Sequence, residues 1–271
     1  MAKWLPLLLL LLSYSGSCSA ASNNSIAQET AFELHWQQGF TAVEQAKLIS
    51  WLEQSAASTL AVLGPYPFTM QLYIYRRPAN EPVPWANTWR DNSQQIHFYV
   101  EPAFSLQQFK QDWTAYHEIA HLALPYLGRS NAWFAEGFAS FMQYQIMQQA
   151  GLIESAVEAI RTKFSPQRQH YQQPTSMAKR AAMLLGQRRF PAGYWGGAQF
   201  FVVADRQLQQ QGKGQLTALI ARYQQCCRLQ DNTLAEVIAS LDKLSGSKIF
   251  SELMQQFDQL PADQFMSLHQ L

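Results

Sequence analysis

Residues 114–121 read TAYHEIAH, with His117 and His121 four positions apart and Glu118 between them. This spacing constrains the fold more than any other feature of the chain. Side chains four apart on a helix stand one above the other on a single face. Two imidazoles so placed can reach one metal ion at about 2.0–2.1 Å from each ring nitrogen. Glu118, rotated from His117 by about 100°, reaches the rim of the same site, where a water is its natural contact. The alternative is a pair of ordinary histidines on a packed helix. A two-histidine site needs a third protein ligand and leaves its fourth position to water.

That third ligand is expected at Glu136, fifteen residues after His121 in NAWFAEGFASFMQYQ. Ser130 or Asn131 can cap a second helix and place Glu136 in its second turn. Two antiparallel helices joined by PYLGRS then bring Glu136 level with His121, about one helix diameter away. A carboxylate among Trp133, Phe134, Phe138 and Phe141 needs a partner; an ion pair with Arg129 is the other candidate. The first helix is expected to begin at Ser105, which forms a capping-box pattern with Gln108 and a Phe104/Phe109 staple, and to stop at Leu124-Pro125.

Upstream, residues 41–64 repeat apolar positions at helical spacing and end at Gly64-Pro65. FTMQLYIYR (68–76) and QIHFYV (95–100) read as strands, with a proline-rich loop between them. From Ser105 onward the pattern is helical. The fold class is therefore α+β, with a small α/β portion over 33–103 and a helical portion over 104–271. QIHFYV is the expected edge on which an extended peptide adds, and His97 on it is either a substrate contact or a structural histidine.

Composition closes off other classes. A net charge of +1 with only 14% charged residues offers no basic patch for nucleic acid. Lys3, the apolar run at 4–12 and the small residues of SYSGSCSAAS read as a signal peptide over 1–21, followed by a polar linker over 22–32. The apolar run is too short to span a bilayer, and no later segment crosses one. The chain is thus expected to be exported, to the periplasm or beyond; Cys18 offers an alternative lipid-anchor site. Cys226 and Cys227 are expected as packing residues in a helix, or as a vicinal bridge in an oxidising compartment.

HEIAH followed by WFAEGFASF resembles the gluzincin zinc metallopeptidases, in which H-E-x-x-H is completed by a glutamate in an E-G-[FL]-A-like helix. YWGGAQFFVVADRQL (194–208) is similar to the Y-x-x-G-A helix of the aminopeptidase-N and glycyl-aminopeptidase branch, with Tyr194, Gly197, Ala198 and Asp205 at family-like spacing. The resemblance spans about 95–258. It implies a thermolysin-like (zincin) catalytic domain holding Zn2+ on His117, His121 and Glu136. Glu118 would be the general base and Tyr194 the donor to the oxyanion, with a peptide or protein as substrate. Three departures stand out. The gap from His121 to Glu136 is shorter than in thermolysin-like enzymes and in the larger aminopeptidases. The amine-binding G-x-M-E-N motif is absent from WANTWRDNSQQIHFYV, and Ser140 fills the position where thermolysin-like enzymes place an aspartate to orient a histidine. Trp85, Trp89, Trp133 and Trp195 are core or pocket wall, Trp195 being the best candidate to line a substrate pocket. The competing reading is a catalytically inactive gluzincin fold serving as an envelope binding or assembly module.

Overall fold

The computed structural model describes residues 31–37, 39–90 and 93–270. The expected signal peptide, most of the linker and Cys18 lie outside them. Among the described residues no helix is long and apolar enough to cross a membrane.

Four strands form one sheet in the order β1-β2-β4-β3: β1 (Phe32–Trp36), β2 (Met70–Arg76), β3 (Trp85–Trp89) and β4 (Gln95–Val100). The first two pairings are parallel, and β3 closes the sheet antiparallel to β4. Helix α1 (Ala42–Leu63) supplies the crossover that a parallel pair requires. Its start is fixed by a capping box between Thr41 and Glu44. Leu48, Trp51 and Leu52 of α1 pack beneath Leu72, Ile74, Ile96 and Phe98 of the sheet.

Two strands were not legible. Phe32, assigned to the linker, opens β1, and WANTW, assigned to the proline-rich loop, is β3. Asn87 and the flanking prolines give WANTW little strand propensity of its own, and its hydrogen bonds come from β4. QIHFYV is consequently an interior strand, and the sheet edge on that side belongs to β3.

The expected helix from Ser105 is two helices. The Ser105–Gln108 capping box is formed and starts α2 (Leu106–Gln111). The chain then breaks at Asp112, whose Oδ1 accepts from the backbone N–H of Thr114 at 2.8 Å. A short carboxylate side chain competes in this way with continued helix, and α3 (Thr114–His121) begins afresh. The turn after it leads through a short 3-10 segment to α4 (Ala132–Gln149). Then follow α5 (Ala156–Phe164), α6 (Met177–Gly186), α7 (Phe190–Gln210), α8 (Leu216–Cys226), α9 (Leu234–Ser245), α10 (Ile249–Gln259) and α11 (Ala262–Leu268).

Helix α3 is the seam between two hydrophobic clusters. Ala115, Ile119 and Leu122 join the sheet cluster. The adjacent stripe of Tyr116, Ala120 and Ala123 joins the helical cluster built on Phe134, Phe138, Phe200 and Phe201. Both stripes step by four and three residues, the spacing that keeps side chains on one helical face. The face they leave carries His117, Glu118 and His121.

The C-terminal carbonyls of a helix lack partners within it, and here remote side chains supply them. Tyr66 donates to Ile119 at 2.8 Å and Arg90 to His121 at 2.8 Å. Arg228 donates to Leu122 at 2.8 Å and Gln224 to Ala123 at 3.0 Å. Arg228 directly follows Cys226 and Cys227, which end α8 and are joined as a disulfide. The vicinal bridge, not simple packing, is thus the state of this pair.

Helices α4 and α7 make close contact through glycine. A Cβ on Gly137 would collide with the backbone of Gly197, and one on Gly197 with the carbonyl of Trp133. Backbone cannot yield as a flexible side chain does. Gly197→Ala is therefore expected to cost about 1–3 kcal/mol, lowering the melting temperature by several degrees. Thermal unfolding followed by circular dichroism checks this, and an unchanged midpoint would contradict the close crossing.

Candidate functional site

The face of α3 turned from both clusters meets α4 with three ligand-type atoms converging. Nε2 of His121 lies 3.1 Å from Nε2 of His117. Oε2 of Glu136 lies 3.3 Å from the first histidine's Nε2, His117, and 3.4 Å from that of His121. Glu136 thus stands beside both histidines in a group that could hold a metal ion, and its partners are the histidines rather than Arg129. Tetrahedral ligands at about 2.0–2.1 Å from a zinc ion stand about 3.3–3.4 Å from one another. The observed triangle has that size, so this donor set fits zinc. Both histidines are buried, while Glu136 keeps 26% of its side chain exposed.

Electrostatics within the triangle favour a carboxylate facing imidazoles. Burial opposes ionisation of Glu136, yet the two histidines hold it well below the usual carboxylate range. Burial lowers His121, keeping it neutral as a metal ligand must be. In His117 burial acts in the same direction but is outweighed by Glu136, and the net shift is upward.

The orientation of His117 comes from a residue the sequence reading missed. Its Nδ1 lies 2.8 Å from Oε1 of Gln143. An amide oxygen can only accept, so Nδ1 carries the proton and Nε2 is left with its lone pair toward the triangle. Glu136, Ser140 and Gln143 follow one another along one face of α4. Ser140 stands where an aspartate was sought, but its buried hydroxyl has no hydrogen-bond partner; the support comes from one turn further on. Outer partners of metal-binding histidines are worth about 10–100-fold in affinity. Gln143→Leu is expected to weaken zinc binding by that factor in a chelator competition, and equal affinity would deny Gln143 the role.

Glu118 is held from the sheet. Thr88 on β3 donates its hydroxyl to Oε2 of Glu118 at 2.6 Å. This contact joins residues thirty positions apart, and Thr88 carried no signal in sequence. The single proton donated leaves the other carboxylate oxygen, Oε1, uncommitted by this bond.

Tyr194 stands on α7, its ring 5.6 Å from that of His117. The glycine crossing explains why it arrives there: Gly137 follows Glu136, and Gly197 lies one turn after Tyr194. Burial, then the neighbouring Glu136 and Glu118, push the Tyr194 phenol up, so it keeps its proton and remains a donor. Asp205 on the same helix serves elsewhere, accepting from the N–H of Leu216 at 2.7 Å at the start of α8.

His117, Glu118 and Tyr194 open on a cleft of about 630 Å³ between β3 and the helices α4, α5 and α7. Trp85 and Trp195 line it, Trp195 stacked on Tyr144 at 5.4 Å. Trp133 is core, stacked on Phe257. His97 is not among the residues lining the cleft; it stacks with Tyr73 and Tyr75 and is bonded to Tyr75 and Gln95.

No protein-family profile and no curated protein matches the sequence. Solved structures do share the fold. An M1 zinc metallopeptidase from Deinococcus radiodurans aligns with a TM-score of 0.51 at 12% identity, over 83% of this chain and 48% of its own. A substituted form from the same organism, bound to a Tyr-Ser-Ala substrate, gives 0.51 at 12% identity, over 83% and 49%. A substituted two-domain M1 zinc metallopeptidase bound to L-tryptophan gives 0.52 at 13% identity, over 83% and 49%. The chain thus spans about half the length of the structures it matches. At these identities the likeness is one of fold: the small sheet and helical remainder match the catalytic-domain fold of M1 peptidases.

Proposed function

We propose that the chain is a zinc-dependent peptidase with a thermolysin-like, gluzincin-type centre, its Tyr194 helix similar to that of the aminopeptidase-N branch. The observation that carries the reading is the triangle of His117, His121 and Glu136, whose edges of 3.1, 3.3 and 3.4 Å suit one zinc ion. In this reading residues 33–103 supply the sheet wall of the cleft and 104–271 the helical wall. The leader at 1–21 directs the activity outside the cytoplasm, to the periplasm or the medium.

Zinc, when bound, supplies a Lewis acid that acidifies water and polarises a carbonyl. Glu118 takes a proton from the attacking water, its other oxygen held by Thr88, and later delivers that proton to the leaving nitrogen. One water is consumed: the C–N bond breaks, a C–O bond forms, and a carboxylate and an amine leave. Tyr194 donates to the oxygen that gains charge, a type of contact worth about 2.7–4 kcal/mol. The outer edge of β3 offers backbone groups to an extended peptide, the task expected of QIHFYV. An inactive binding module is the less favoured reading, because the cleft opens directly on Glu118 and Tyr194.

The purified mature chain should carry about one zinc per molecule and cut members of a fluorogenic peptide library. Zinc far below stoichiometry would remove the ligand assignment, and an uncut library with zinc bound would favour the binding module.

A further inference from the structure

The cleft walls also bear on which peptides enter. Five large aromatic side chains stand exposed among the described residues: Trp85, Trp89, Trp113, Tyr126 and Phe190. Three of them, Trp85 at 53%, Trp113 at 45% and Phe190 at 44% exposure, line this one cleft. They come from three separate elements: β3, the start of α3 and the start of α7. Apolar rings gathered at one cavity from distant parts of the chain remain wet until a ligand covers them, which marks a binding surface.

The charge pattern is equally one-sided. Glu118 is the one carboxylate among the described residues lining the cleft. It already accepts from Thr88, and as general base it cannot also neutralise a substrate ammonium. Lys163 is the one lysine or arginine in the lining, and none of the ion pairs among the described residues includes it. A free N-terminal amine entering the cleft would find no carboxylate but Glu118 in the described lining and would share the space with the Lys163 cation, and desolvating an unpaired ammonium is costly. A neutral backbone running through the cleft meets no such penalty.

We infer that the substrates are polypeptides cut at internal bonds, with a large apolar or aromatic side chain beside the bond seated among Trp85, Trp113 and Phe190. The inference rests on the peptidase reading above. It names the class of chain that fits: extended segments that need no free terminus.

The test uses the zinc-loaded chain and a peptide set in which every sequence is present with a free and with an acetylated N-terminus, products being read by mass spectrometry. Acetylated and free forms should be cut at the same internal bonds, with kcat/KM within about threefold, next to Phe, Tyr, Trp or Leu. Stepwise release of single residues from free peptides, with acetylated ones resistant, would overturn the inference while leaving the peptidase reading intact. If no peptide of either kind is cut, the peptidase reading itself falls, and the inference with it. Trp85→Ala removes one wall from an exposed position. It should raise KM for aromatic-flanked peptides about tenfold, with kcat and zinc content retained. An unchanged KM would overturn the aromatic seat.

Discussion

Glu118→Gln should leave zinc at the wild-type level and lower peptide hydrolysis by about 10²–10⁴-fold, the range for loss of a positioned acid–base group. The substitution keeps size and the hydrogen bond from Thr88, whose hydroxyl can still donate to an amide oxygen. What disappears is the site that takes a proton from water and returns it to the leaving nitrogen. Zinc content is expected to hold because the three converging donor atoms belong to His117, His121 and Glu136. The measurements are kcat/KM on a cleaved peptide and metal content by mass spectrometry on the same preparation. Activity within threefold of wild type would move the general base elsewhere; loss of zinc along with activity would make Glu118 part of the metal's support.

His121→Ala is expected to abolish stoichiometric zinc. One of three protein ligands is lost, so affinity should fall by more than the roughly 10–100-fold typical of an outer partner. Stability supplies an independent readout. A ligand that binds only the folded state adds about 2.7 kcal/mol at a hundred times its dissociation constant, so the wild type should melt higher with zinc than with a chelator. In His121→Ala that difference should vanish. A variant that keeps both the metal and the zinc-dependent shift would show that the ion is held by other residues.

The triangle of His117, His121 and Glu136 was legible because its parts are local. A four-residue spacing on one helix and a glutamate in the second turn of the next are short-range patterns, and a connection of ten residues, 122–131, brings them together. The capping boxes at Thr41 and Ser105 are local in the same sense. What stayed hidden depends on distant partners. WANTW becomes a strand because β4 lies beside it, and only then does Thr88 meet Glu118. Gln143 is one of several glutamines along α4 until His117 packs against it. The split at Asp112 turned on a side chain choosing the N–H of Thr114 over continued helix, a local competition that apolar periodicity does not register. The bridge between Cys226 and Cys227 was one of two readings open for that pair, and adjacency alone does not choose between them.

The caps on the last turn of α3 bear on when the site can exist. Tyr66 reaches back across 53 residues, while Gln224 and Arg228 reach across 101 and 106. Contacts of such long sequence separation form late, since the chain between them must first be closed into a loop. During synthesis His117 and His121 emerge together, but the groups that hold their helix end arrive only once residue 228 has been made. A nascent or partly unfolded chain therefore carries the HEIAH segment without its completed mounting.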